Sequence, residues 1–402
     1  IALDSSGLPH ISYYDVGNGD LKHAYFDGEG WQLEVVDGTG DVGQYTSMAV
    51  DSQGGLHISY YDVGNGDLKH AYFDGGIWQP EVVDGTGDVG RYTSMAVDSQ
   101  DGLHISYYDA TNGDLKYARY DGAQWIVETV DSAEHGDNWS TSLALDKDGY
   151  SHIAYFDANG TMKYVHQDAL GWQMEIVDSE AKGEAGQVSL ALDTNGYPHI
   201  SYCPCSYCIK EWCCGGLKYA HRDDSGWHIE TLGSCDWYNS LALDKDGYPH
   251  ISYYDRDNWG SLKYAYQDSS GWHIETVDIG IGPFGSHTSL ALDAEGYPHI
   301  SYNTNDRTEI LKYACRDASG WHVQTVDSEG EISASSLALD EDGYPHISYI
   351  SYLDPWNERI KYAYQDASGW HIEIADSGGW GERYRFLALD LDGNSYPHIS
   401  YY

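Results

Sequence analysis

Between residues 240 and 278, short apolar runs alternate with polar turns in a fixed order. SLALD (240–244) is followed by KDG and PHISYYD (249–255); a loop then leads to LKYAYQD (262–268), SSG and WHIETVD (272–278). Runs this short, rich in β-branched and aromatic residues and bounded by Gly and Asp, predict four antiparallel strands, A to D. Strand B, with HISYY, has no polar face and must be buried on both sides. Strand A alternates Ser and Ala with larger residues, as the most crowded strand of a closed architecture would.

The four-run unit recurs along the whole chain. The strand B histidine falls at His10, His57, His104, His152, His199, His250, His299, His346 and His398, about 48 residues apart. A tryptophan opens strand D at Trp31, Trp78, Trp125, Trp172, Trp227, Trp272, Trp321 and Trp370. Four strands per period of about 40–50 residues is the pattern of a β-propeller blade. The expectation is an all-β fold, a β-propeller of four-stranded antiparallel blades forming one domain over residues 1–402. Eight ABCD repeats are complete, and a ninth A–B pair occupies 385–402; nine blades is the alternative count. That last pair competes with residues 1–15 for the C and D strands of blade one, which predicts head-to-tail self-association through terminal strand pairs or tandem propellers.

This architecture assigns roles to the repeated residues. Histidines a blade apart cannot converge on one metal, so each is expected to tether groups within its own blade. The tryptophans are expected to wedge between adjacent blades. Strand D carries Glu34, Glu81, Glu128, Glu175, Glu230, Glu275 and Glu373, with Gln324 in unit seven; these charges are expected to blunt edge-to-edge pairing.

Composition narrows the class of partner. The chain has 64 acidic and 21 basic residues, a formal charge of −43. Such a polyanion repels nucleic acid and anionic membranes and can attract cations. No apolar run reaches the roughly 18 residues of a membrane helix, so membrane insertion is not expected. Ile1 opens directly on a strand, which reads as a processed or excerpted piece of a longer chain.

Candidate chemistry lies in the connections. The A–B and C–D turns are monotonous, whereas the B–C and D–A loops differ in length and content. Trp139, Trp212, Trp237, Trp259, Trp356 and Trp380 all fall in the varied set; they are the candidate ligand- or partner-binding residues, for a glycan or a protein. The sequons at Asn138 and Asn159 lie there too. D-x-D-G recurs at Asp146/Asp148, Asp244/Asp246, Asp340/Asp342 and Asp390/Asp392. It resembles a fragment of a calcium loop but is too short for an EF-hand, and hairpin turns need the same residues; turn chemistry is the expectation, with no cofactor required and calcium possible. Cys203, Cys205, Cys208, Cys213 and Cys214 crowd one B–C loop, with Cys235 in the next loop. Disulfides are expected there in preference to a metal cluster. Cys315 is expected to be an isolated buried thiol.

The turn DASGW (317–321, 366–370) resembles the Asp-box of sialidase-like propellers, in a shortened form. The LALDxDGxPHISYYD…LKYA…GW…ETVD units resemble those of secreted bacterial and archaeal β-propeller repeat proteins over essentially the whole chain. That resemblance implies the fold and an extracellular or cell-surface setting; it implies little about chemistry. The few, scattered arginines form no cluster of the kind sialidase activity would require. No nucleophile–base pair, phosphate loop or convergent carboxylate pair stands out. HISYYDVGNGDLKHAYFDG occurs twice verbatim, and duplication without divergence suits a scaffold better than a unique pocket. The expected function is a non-catalytic extracellular structural or adhesive propeller, a subunit of a tandem or filamentous assembly. The alternatives are a carbohydrate-binding, lectin-like propeller and then a glycosidase or lyase.

Overall fold

The computed structural model describes the chain apart from residues 1, 4–8, 16–17, 27–30, 74, 133–140, 158, 180, 182–183, 209–210, 215, 236–237, 256–259, 283–286, 305–309, 341, 355–356, 378–386, 392–396 and 402. Every regular element among the described residues is a strand. They form eight four-stranded antiparallel sheets in sequence order, with a short hairpin strand added to the fifth and a final two-stranded sheet. This is the blade count and topology of an eight-bladed β-propeller. Blade 6 has strands Asn239–Leu243, Pro249–Asp255, Ser261–Asp268 and Gly271–Ile279, within one residue of the runs expected from the sequence.

The chain divides into two compact units, residues 1–176 with 390–402, and residues 177–389. In the first, apolar clusters lie between blades 1 and 2, 2 and 3, and 3 and 4. In the second they lie between blades 5 and 6, 6 and 7, and 7 and 8. The core is therefore a series of layers between sheets rather than one central mass. Strand B is the centre of each sandwich. Every residue of Leu103–Asp109 and of Pro298–Asn303 is buried, as a strand without a polar face requires.

A repeated β-bulge sets the ends of strand D. In blade 6 Leu262 pairs with Asp278 but Lys263 with Thr276, leaving Val277 as the extra residue. Simple alternation would send Val and Asp to opposite faces, one of them outward. The bulge breaks that alternation, so that both residues of pairs such as Val83–Asp84 and Val326–Asp327 are buried. The valine enters the apolar layer and the aspartate is aimed at the following blade.

Two expectations about the chain's layout change. The cysteine-rich B–C loop is a hairpin: strand B runs from Pro198 to Cys208 and pairs with Glu211–Cys214. The terminal pairs do not share blade 1: Ala2–Leu3 and Pro9–Asp15 hold its A and B places, with Asp20–Phe26 and Trp31–Asp37 as C and D. Leu387–Leu391 and Pro397–Tyr401 make a separate two-stranded sheet. In the first unit Pro397–Tyr401 runs beside Pro9–Asp15; in the second the Leu389 amide donates to Ser336 Oγ at 2.8 Å. Self-association is not required to give that pair a neighbour.

Candidate functional site

The strand B histidine is held inside its own blade. His104, His152, His250 and His346 each meet a strand C tyrosine through Nδ1: Tyr117, Tyr164, Tyr264 and Tyr362. His199 and His299 do the same with Tyr219 at 2.6 Å and Tyr313 at 2.5 Å. On the other ring nitrogen, His104 faces Asp98 at 3.1 Å and His299 faces Asp293 at 3.5 Å, both at the end of strand A. In blade 2 a histidine replaces the tyrosine, and His57 meets His70 at 3.1 Å. Burial lowers the pKa of these imidazoles and is only partly opposed by the aspartates; His199 is pushed down to about 4. They are neutral tethers at neutral pH.

Four other repeated groups join successive blades. The bulged aspartate accepts from a tyrosine and a lysine of the next blade. Asp84 takes Tyr107 at 2.9 Å and Lys116, Asp131 takes Tyr155 and Lys163, both at 2.7 Å, and Asp327 takes Tyr349 and Lys361 at 2.7 and 2.8 Å. Burial alone would push the Asp84 carboxyl up, but the Lys116 and Tyr107 bonds outweigh it and hold the pKa below the usual carboxylate range. The tryptophan that opens strand D donates to the strand D glutamate of the blade before. Trp78 reaches Glu34, Trp125 reaches Glu81 and Trp172 reaches Glu128, all at 2.8 Å. Trp370 reaches Gln324 at 2.7 Å, so the unit that departs from glutamate keeps the acceptor. The Ser of HISYY meets strand A of the next blade, as in Ser252 with Thr288 at 2.8 Å. The Ser of SLAL accepts the next strand A amide, Ser289 from Leu337 at 3.1 Å.

Glu34, Glu81, Glu128 and Glu275 therefore have a role beyond the edge charge expected: the following tryptophan donates to each, whereas Glu373 stays exposed. Strand D also exposes apolar side chains: Leu33 is 64 % exposed, Ile176 60 % and Ile374 52 %.

The D-x-D-G aspartates occupy their turns as hairpin residues. Asp146 Oδ1 accepts the amides of Asp148 and Tyr150, both at 2.9 Å. Asp244 accepts from Asp246 and Tyr248, and Asp340 from Asp342 and Tyr344, at 2.7–3.0 Å. Gly149, at φ +83°, supplies the left-handed step that closes the first of these turns. Asp148, Asp246 and Asp342 are exposed. Asp390 and Asp392 are not described beyond the backbone of Asp390.

Trp139, Trp237, Trp259, Trp356 and Trp380 lie outside the described residues, as does Asn138; Trp212 is described only as backbone within Glu211–Cys214. Asn159 is exposed in a turn, its amide donating to Asp157 Oδ1 at 2.9 Å. Cys203 and Cys235 form a disulfide across 32 residues, as expected of that loop pair. The side chains of Cys205, Cys208, Cys213 and Cys214 lie outside the described set. Cys315 is free but half-buried rather than enclosed.

One cluster was missed by the sequence reading because it lies at a C–D turn, in the monotonous set. His221, Asp223 and His228 of blade 5 bring three possible metal ligands within 4.8 Å of one another. The available signal was KYAHRDDSGWH, where His221 stands in the place of Tyr266 in KYAYQDSSGWH.

No protein-family model matches the chain, and no curated protein matches it. Among solved structures, AofleA from Arthrobotrys oligospora is 11% identical with a TM-score of 0.42, over 88% of each chain. A PL25 ulvan lyase bound to -[GlcA(1-4)Rha3S]- is 13% identical with a TM-score of 0.49, over 82% of this chain and 91% of that one. A lectin from Aleuria aurantia in complex with Fucalpha1-6GlcNAc is 13% identical with a TM-score of 0.38, over 82% and 94%. At these scores the likenesses carry no argument about chemistry.

Proposed function

We propose that the chain is a non-catalytic extracellular propeller with a structural or adhesive role. One observation carries this reading: the repeated chemistry-bearing side chains are engaged in joining strands and blades. Histidine meets tyrosine, lysine meets aspartate and tryptophan meets glutamate. Those residues are held in place as architecture rather than arranged around a reacting atom. The apolar side chains along the outer strands, Leu33, Val35, Ile176 and Ile374 among them, offer contact area to another surface. The last A–B pair, 385–402, is the segment proposed to engage a neighbouring propeller.

A second reading, glycan binding, rests on the sequence: the six tryptophans outside the repeat all fall in the B–C and D–A loops. A glycan array probed with the intact chain, together with sedimentation of the chain with and without residues 385–402, separates the two. Concentration-dependent assembly that the truncation abolishes, with no glycan retained, supports the structural role. A monodisperse monomer that retains a defined glycan replaces it with the lectin reading. Turnover of a polysaccharide by the purified chain overturns both.

A further inference from the structure

Blades 5 to 8 share a device at the C–D turn. An aspartate, a serine and the first histidine of strand D brace one another: His273 Nε2 lies 3.1 Å from Asp268 and 3.0 Å from Ser270. His322 meets Asp317 and Ser319, both at 3.1 Å; His371 meets Asp366 and Ser368, both at 3.0 Å. In blade 5 the same trio is Asp223, Ser225 and His228, with His228 at 3.0 and 2.9 Å from its partners. Such a brace recurs because it closes the turn.

What differs is the strand C residue directly across from the histidine. The pairs are Tyr266 with His273, Cys315 with His322 and Tyr364 with His371. In blade 5 the pair is His221 with His228, their rings 5.0 Å apart and inclined by 21°. His221 is partly buried, and its Nδ1 is enclosed with no hydrogen-bond partner among the described residues. Asp223 and His228 are about half exposed, which leaves the cluster open to an arriving ion.

We propose that His221, Asp223 and His228 form a site for a borderline divalent transition metal, of which zinc is the representative. Two imidazole nitrogens and one carboxylate oxygen are zinc-type ligands, whereas calcium and magnesium take oxygen sets. Two ligands each about 2.1 Å from one ion are at most about 4.2 Å apart. The donor atoms here span no more than 4.8 Å, so closure needs only a small side-chain rotation. Three protein ligands leave a fourth position for water or for a group from another molecule. The site is separate from the D-x-D-G turns and from the disulfide.

The blades supply their own controls. His221→Tyr installs the residue that blades 6 and 8 already carry, and Tyr266→His builds the blade 5 pair into blade 6. Zinc chloride is titrated into the oxidised full chain, and bound zinc per chain is counted after gel filtration. The cysteine-rich hairpin contributes equally in every variant. H221Y should lose one equivalent with its melting temperature in zinc-free buffer unchanged. H228Q, at an exposed position, should lose the same equivalent. Y266H should gain one. Equal zinc in H221Y, H228Q and the parent chain overturns the site, and a Y266H that gains nothing overturns the assignment to the cross-strand pair.

Discussion

The boundary between blades 2 and 3 and that between blades 5 and 6 are built from the same strands with different chemistry. At the first, Asp84 at the end of strand D accepts from Tyr107 and Lys116, and Trp125 donates to Glu81. At the second, Gly233 stands in the aspartate's place. Lys263 turns to Thr276 of its own blade at 2.7 Å, and the Trp272 Nε1 is buried without a hydrogen-bond partner among the described residues. Here the Cys203–Cys235 disulfide closes the region, with Cys203 in the position of the second Tyr of SYY. A covalent link stands where the aspartate and tryptophan links are missing among the described residues, while Ser201 keeps its bond to Asn239 at 2.5 Å. Blade boundaries are thus interchangeable in geometry while remaining separable in the forces that hold them.

The largest expected effect concerns the lysines. Lys116→Met strands the Asp84 carboxylate in a buried place, at a cost of about 3–5 kcal/mol. Lys263→Met removes a partly exposed ammonium whose carboxylate partner, Asp255, lies at 3.7 Å, and should cost about 1 kcal/mol. Urea denaturation of the two variants reads the contrast directly. Equal losses would mean that the aspartate link does not distinguish the boundaries.

Next is the disulfide. Replacing both Cys203 and Cys235 by Ser releases a loop of 32 residues, worth about 3–4 kcal/mol in the loop-entropy account. In that background Gly233→Asp should recover part of the loss, because it returns an acceptor for Tyr253 and Lys263. A Cβ at Gly233 would lie 2.9 Å from the Tyr253 hydroxyl, so that hydroxyl must swing slightly to donate. If Gly233→Asp destabilises the double variant further, the disulfide is not a substitute for the missing link.

Acid should separate the regions as well. A histidine with a depressed folded pKa binds fewer protons than in the unfolded chain, so its contribution is complete above about pH 6.5 and is lost as pH falls toward the folded value. For His199, pushed to about 4, the loss by pH 4 is roughly 3 kcal/mol. His104 has Asp98 at 3.1 Å to receive a proton's charge, which burial outweighs less completely. Stability measured from pH 8 to pH 4 should therefore flatten more with His199→Gln than with His104→Gln. A curve already flat in the parent chain would remove histidine burial from the account.

Much of this was legible in the sequence because the fold repeats. Periods of His and Trp located the blades, and HISYY announced a strand buried on both sides. The partners of the repeated polar residues were not legible, since they depend on which side of a bulge a residue falls. Nothing in ETVD says that Val277 and Asp278 escape simple alternation; the pairing of Leu262 and Lys263 across the bulge decides it. The glutamate was read as an edge charge for a related reason, as its acceptor role appears only when the next blade's Trp is beside it. His221 was overlooked because its significance lies in the residue opposite, which strand order reveals and local spacing does not.

The smallest contrast is between two tryptophans in equivalent places. Both pack edge-on against a ring of the blade before: Trp125 against His70 at 5.1 Å, Trp272 against Tyr219 at 5.0 Å. Replacing either by Phe removes similar ring volume, so the packing losses should nearly cancel in a comparison. Only Trp125 gives up a hydrogen bond, to a glutamate already held below its usual range by His70 with help from this indole. A bond to a charged group is worth about 2 kcal/mol, whereas removing the unpaired Trp272 donor relieves a buried polar atom. Trp125→Phe should therefore cost about 2 kcal/mol more than Trp272→Phe in parallel melts. Matching losses would show that the indole nitrogen of Trp272 is satisfied in solution and that the fifth boundary is closer to the second than its residues imply.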